Sequence, residues 1–150
     1  MTKSIVKGKS FERIIAKLIT KWTGYQWNRV PCSGGFATAR RSIDRRFQGD
    51  IFTDNDYFAD LVIECKFSKG RITLEDITNK KSKFWEWVKQ TKEEAGDKDW
   101  ILFFKTNFGQ IFAVFEENKK NWFPGHLDKM LVVWPTNKDA VPLGIYLCLD

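Results

Sequence analysis

Tyr57-Phe58-Ala59-Asp60-Leu61-Val62-Ile63-Glu64-Cys65-Lys66-Phe67, preceded by Asp50-Ile51-Phe52-Thr53, is the stretch that decides the fold. Successive side chains of a strand point to opposite faces. Leu61, Ile63, Cys65 and Phe67 therefore share one side, and Val62, Glu64 and Lys66 share the other. One face is fully apolar; the other changes from apolar to charged partway along. Asp50 to Thr53 predicts a shorter strand, separated from the first by the turn-forming residues Asp54-Asn55-Asp56. A third short strand is expected from Tyr25 to Pro31. It leads into a loop rich in Gly and Arg that contains Ser33-Gly34-Gly35, Arg40, Arg41, Arg45 and Arg46.

Outside these strands the apolar period changes from two to 3.6. Phe11, Ile14, Ile15, Leu18, Ile19 and Trp22 form one stripe, predicting a helix from Ser10 to Thr23 with Ser10 as N-cap and Gly24 just past its end. Glu12 lies at the edge of that stripe. Phe84, Val88, Thr91 and Ala95 predict a second helix from Ser82 to Ala95, after a short segment at Thr73 to Asp76. Trp100 to Lys105 and Gln110 to Phe115 predict a hairpin around Asn107-Phe108-Gly109. Further strand-like runs fall at Leu131 to Trp134 and Ile145 to Leu149. The order helix, strands, helix, strands predicts an α/β fold with a mixed sheet, as a single domain over residues 1–150.

Charge is distributed unevenly. The net charge is +6, but residues 1–49 hold 11 Lys and Arg against 2 Asp and Glu, and residues 50–150 hold 14 against 17. A basic first third predicts a polyanionic partner. The 43% hydrophobic and 15% aromatic content excludes a disordered chain. No run is long enough for a membrane-spanning helix, and the N-terminal residues carry no apolar signal core, so a cytoplasmic protein is expected. Cys32, Cys65 and Cys148 are odd in number and lack CxxC spacing. With only His126 to join them they make neither a disulfide framework nor a zinc site.

Asp50 starts one strand, while Glu64 and Lys66 project from the same face of the next. Pairing of those strands brings two carboxylates and an ammonium together. Carboxylates are hard ligands for Mg²⁺ or Mn²⁺, and a lysine beside them can assist proton transfer or offset charge on phosphorus. This set suits phosphodiester hydrolysis. Glu-x-Lys also occurs on solvated strand faces, so the basic stretch before Asp50 and the carboxylate of Glu12 add weight to the catalytic reading.

Lys7-Gly8-Lys9-Ser10-Phe11-Glu12, Arg29-Val30-Pro31-Cys32-Ser33-Gly34-Gly35, Gly49-Asp50-Ile51 and Ile63-Glu64-Cys65-Lys66 resemble the PD-(D/E)XK nucleases. The likeness is closest to archaeal-type Holliday junction resolvases and their phage relatives, and covers about residues 7–107. It implies a restriction-endonuclease-like core, Mg²⁺ dependence with Mn²⁺ as substitute, and action on DNA as a homodimer or higher homo-oligomer, in the host cytoplasm if phage-encoded. Glu12, Asp50, Glu64 and Lys66 match the catalytic set, with Asp50, Glu64 and the backbone carbonyl of Cys65 as metal ligands. Ser33 matches the Ser-Gly loop, and Arg29 a phosphate contact. Gly49 stands where the family has proline, and the stretch from Phe36 to Gln48 is longer and more basic. Arg40, Arg41, Arg45 and Arg46 are expected on phosphate. Two alternatives stay open: a sequence-specific homing or restriction-type endonuclease, and a non-catalytic nucleic-acid-binding module. Trp85, Trp87 and Trp100 are expected in the core or at its rim, Cys65 toward the core, Gln90 toward the site, and His126 in a loop.

Overall fold

The computed structural model describes residues 3–31, 47–135 and 140–149. Helix α1 (Lys3–Thr23) leads into β1 (Trp27–Arg29), β2 (Ile51–Thr53) and, after a 3-10 turn at Asp56–Phe58, β3 (Leu61–Ser68). Helices α2 (Leu74–Thr78) and α3 (Lys83–Ala95) precede β4 (Asp99–Thr106), β5 (Ile111–Glu116), β6 (Leu127–Val133) and β7 (Leu143–Cys148). Among the described residues these strands form one seven-stranded sheet in the order β1-β2-β3-β4-β5-β7-β6. Of these neighbours only β3 and β4 run parallel. Their crossover carries α2 and α3, since parallel neighbours need a long connection. The mixed α/β sheet is the expected class.

The alternation read in β3 is observed. Leu61, Ile63 and Cys65 pack with Phe11, Ile15 and Ile19 of α1, and Val62 packs with Phe84 and Val88 of α3. Sheet-centre β4 is buried on both faces. Ile101 and Phe103 join the α1 side, while Trp100, Leu102 and Phe104 join the α3 side, as expected for a strand covered by helices above and below.

Strands β1, β6 and β7 differ from expectation by a few residues at their ends, and two boundaries and one burial assignment depart further. Helix α1 begins at Lys3 rather than Ser10, so Ser10 lies inside the helix. A serine caps only where the chain before it is non-helical, and here the helix already runs through Lys7, Gly8 and Lys9. Ile14, expected on the buried stripe, is 47% exposed, while Ala16 takes a buried place. Tyr57 and Phe58 form a 3-10 turn rather than strand because the side chain of Asn55 accepts from Tyr57 N at 2.9 Å. The Asn107-Phe108-Gly109 turn between β4 and β5 is as expected. Trp85 and Trp100 are core residues, their indoles donating to Ile77 O at 2.6 Å and Glu116 Oε1 at 3.0 Å.

Candidate active site

Strand β2 joins β3 through a single residue pair, Ile51 with Ile63. Asp50 N donates to Ile63 O at 2.8 Å, and then the chain turns out of the sheet at Gly49, whose φ is +81°. Among the described residues no strand pairs with β3 beyond that point on that side, which leaves a fork. The peptide of Cys65 faces this fork. Its N–H donates not to backbone but to Asp50 Oδ2 at 2.7 Å. Residues two apart on a strand present their peptide groups to the same neighbour, so the Cys65 carbonyl opens to the fork as well.

Gly49 is required by the geometry. A Cβ there would lie 2.6 Å from Ile63 O, and the positive φ excludes proline. Gly49 N donates to Glu94 Oε1 at 3.0 Å, a bond no proline could make. Gln48 Nε2 donates to Glu94 O at 2.9 Å. The end of α3 therefore fixes the turn that aims Asp50.

Carboxyl groups gather at this fork. Glu64 is half-buried, hydrogen-bonded to Asp50, and pushed up to about 9 by burial first and then by the Asp50 charge. Glu12, reaching in from α1, is likewise raised by burial and by Asp50. Arg29 on β1 offsets part of that, its Nε lying 2.6 Å from Glu12 Oε2. Lys66 Nζ donates to Gln90 Oε1 of α3 at 3.0 Å and lowers Glu64 in opposition to the acids. Burial, then Asp50, Glu12 and Glu64, raise the thiol of Cys65 well above its ordinary value. The thiol remains protonated in the core, so the donor Cys65 can offer is its carbonyl.

Glu12, Asp50, Glu64 and Lys66 thus meet at one place, with Cys65 and Arg29 beside them. Ser33, Arg40, Arg41, Arg45 and Arg46 lie outside the described residues. Gln90 reaches the site as expected. Sequence reasoning missed Glu94 and Gln48. The signal for Glu94 was its spacing of four from Gln90, which puts both on one helix face. His126 sits in a turn, its ring stacked on Trp22 at 4.9 Å between centroids.

Like-charged carboxyls crowded at a half-buried fork are unfavourable by themselves, and a divalent cation between them removes that penalty. Among the described residues no three His, Cys, Asp or Glu side chains are arranged to hold an ion alone. The donor set that fits is Asp50, Glu64 and the Cys65 carbonyl. These are three hard oxygen donors, the kind that suits a hard divalent cation.

A mixed α/β sheet with helices on both faces, opened into a fork that gathers these acids and a lysine, is a restriction-endonuclease-like nuclease core. Residues 3–133 match the model of the family described as "Phage putative PDDEXK endonuclease", and the chain belongs to that family. No curated protein and no solved structure matches. Among the described residues no helix is long and apolar enough to cross a membrane.

Proposed function

We propose that the chain is a Mg²⁺-dependent DNA endonuclease that cuts branched DNA as a homodimer or higher homo-oligomer, as one domain working in the host cytoplasm. The observation that carries the catalytic reading is the Asp50–Glu64 carboxyl pair in the β2–β3 fork, with Lys66 two residues along the same strand face. Asp50, Glu64 and the Cys65 carbonyl would hold Mg²⁺, or Mn²⁺ in its place. When bound, the ion supplies Lewis acidity toward the phosphate and a nucleophile near neutral pH.

The protein's own groups have separate tasks. Lys66, oriented by Gln90, stands where it can hold a proton of the attacking water and offset charge developing on phosphorus. Glu12 completes the acidic wall from α1, and Arg29 both neutralises Glu12 and offers its guanidinium to a phosphate. Ser33, Arg40, Arg41, Arg45 and Arg46 supply contacts to the DNA backbone, which set affinity and register without reading sequence.

The choice of branched DNA rests on the likeness of the Ser-Gly loop and the Ile-Glu-Cys-Lys strand to junction resolvases. The long basic stretch from Phe36 to Gln48 favours a second reading, a sequence-specific duplex nuclease, because such a loop could enter a groove.

The test is single-turnover cleavage of a four-way junction, a linear duplex and genomic DNA with Mg²⁺, with binding followed separately in Ca²⁺. Asp50→Asn and Glu64→Gln are expected to reduce cleavage by at least ~10³-fold, equivalent to ~4 kcal/mol of barrier, with binding kept or strengthened. Lys66→Ala is expected to lower the rate at least ~10²-fold with little loss of affinity, and Lys66→Arg to rescue poorly. Cleavage in EDTA, or by Asp50→Asn, would sink the metal site. Preference for one duplex sequence would move the substrate to the second reading. A chain that binds DNA and never cuts it would be a binding module.

A further inference from the structure

Phe108 is placed against ordinary preference in two ways. It is fully exposed, a large apolar ring on the outside of the molecule. It also holds a φ of 57°, among the described residues the only non-glycine in the left-handed region, where glycine or asparagine is favoured. Gly109 beside it is already locked into the turn, its N–H donating to Thr106 O at 3.0 Å. A tip that served only to reverse the chain would be more stable with glycine or asparagine at 108.

The surroundings show what this ring faces. Strands β3 and β4 are in parallel register, with Lys66 beside Phe104 and Ser68 beside Thr106. Asn107 N donates to Ser68 O at 3.1 Å. The β4–β5 tip is therefore bonded to a residue two positions beyond Lys66, roughly 7 Å along the strand. Between the tip and the chain leaving β3 lies a cavity of about 540 Å³. Phe108 and Asn107 form one wall, Lys69 and Arg71 supply the cations, Phe104 and Phe112 supply the apolar floor, and among the described residues no carboxylate lines it. Lys83 of α3 adds a further cation nearby, its Nζ donating to Ser68 Oγ at 2.8 Å, while Lys7 and Lys105 line a separate pocket with Phe11 and Phe67 on the α1 face.

An exposed aromatic ring set in a cationic rim matches one ligand chemistry, a flat apolar base attached to phosphates. Stacking uses the face of the ring, and the lysines and arginine take the flanking backbone. A base is free to stack only where it has left the duplex, as at a branch, flap or single-stranded stretch. We infer that Phe108 is a base-stacking residue, holding an unstacked nucleotide of the DNA against the β4–β5 tip while Lys69 and Arg71 bind its phosphates. This deepens the endonuclease reading and rests on it. It places the unpaired feature of the substrate on the side where β3 emerges from the site.

The probe is a four-way junction carrying 2-aminopurine at the branch, with an intact duplex of the same arms as control, titrated in EDTA so that no cleavage intervenes. Wild type is expected to change the fluorescence of the junction through stacking. Phe108→Ala is expected to weaken junction binding roughly 5- to 150-fold, the range for one base on one aromatic ring, and to abolish the fluorescence change. Duplex binding should barely move, and Phe108→Trp should preserve both signals. Replacing Lys69 and Arg71 together by Ala should flatten the slope of log affinity against log salt by ~0.7–0.9 for each phosphate the variant no longer neutralises. Phe108→Gly is expected to keep or raise thermal stability while losing stacking, which separates recognition from folding.

Equal junction affinity for Phe108→Ala and wild type overturns the inference, as does an equal loss on duplex and junction. A loss of self-association in Phe108→Ala would assign the ring to a second copy of the chain and overturn it too. If wild type cuts DNA while Phe108→Ala binds normally, only this inference falls. If Phe108 governs junction binding but the wild type cuts nothing, stacking stands and the endonuclease reading falls.

Discussion

Between Asp50 and Lys66 the sheet is held by one β2–β3 residue pair, reinforced by side chains bonded to backbone. Strands β4, β5, β7 and β6 are joined instead by extended antiparallel ladders. The first region carries raised carboxyl groups at a gap in the hydrogen-bond ladder. The second buries Ile101, Phe103, Ala113 and Phe115, with Phe115 and Tyr146 stacked at 4.3 Å. Like charges repel and an unzipped strand pair is weak, so the fork cannot be the source of the fold's stability. The ladder half makes the crowded fork tolerable by holding β3 in place through β4.

That division can be broken from the ladder side first, where the largest effect on stability is expected. Phe103→Ala removes a fully buried ring that lies between α1 and the sheet. It should destabilise the fold by ~3–5 kcal/mol, the usual loss for a large aromatic cavity. Chemical denaturation measures this. Cleavage per folded molecule, well below the melting temperature, should be unchanged. A Phe103→Ala protein that stays folded yet loses cleavage would mean the two regions are not separable.

The next effect strikes the fork. Gly49→Ala forces a Cβ to within 2.6 Å of Ile63 O at a φ of +81°. A strained residue of this kind costs roughly 1–3 kcal/mol, so its stability loss should be smaller than that of Phe103→Ala. Its cleavage loss should be larger, because the turn aims Asp50. Equal cleavage by Gly49→Ala and wild type would show that Asp50 is not positioned by this turn.

The same contrast explains what could be read from the sequence. Alternation in β3 and the apolar stripes of α1 and α3 are repeating patterns, so the mixed α/β sheet and the pairing of Glu64 with Lys66 on one face were legible. Asp50 was legible because it heads a strand beside them. The buttress was not. Glu94 acts on Gly49 across 45 positions through one acceptor atom, and no local pattern announces a single tertiary bond. The start of α1 was misplaced because Ser10 resembles a cap by composition, although the helix runs through the residues before it.

Protonation sharpens the comparison at the level of one group. Burial and Asp50 raise Glu64 from its ordinary 4.5 to about 9 in the folded protein. Between those values the folded chain keeps a proton that the unfolded chain has released. Stability is therefore present at low pH and declines as pH rises through that window. Glu64→Gln cannot lose a proton. In metal-free buffer at pH 8 its melting temperature should exceed that of wild type, each kcal/mol being worth about 2–4 °C in a chain of this size. Melting curves from pH 5 to 9 should slope downward for wild type and less so for Glu64→Gln. Parallel slopes would mean that Glu64 ionises freely and that the fork is wetter than its packing indicates.

The smallest effect separates the two roles of Glu94. Its Oε1 accepts from Gly49 N, and its charge adds to the repulsion that raises Glu64. Glu94→Gln retains an acceptor and removes the charge, whereas Glu94→Ala removes both. Glu94→Ala should lose about 0.5–1.5 kcal/mol, the net worth of one such hydrogen bond, and more if the buried Gly49 N–H finds no water. Glu94→Gln should lose less than Glu94→Ala, since relief of repulsion opposes the weaker bond. It should also lower the upper end of the pH window of Glu64, seen as a melting-temperature profile that begins its decline at the same pH but levels off sooner and falls by less in total. Metal affinity, measured by Mn²⁺ titration calorimetry, should change little in Glu94→Gln because the ligand set is intact, but should fall in Glu94→Ala as Asp50 loses its aim. If both variants lowered Mn²⁺ affinity equally, Glu94 would act on the fork through its charge alone, and the hydrogen bond to Gly49 would not be what positions Asp50.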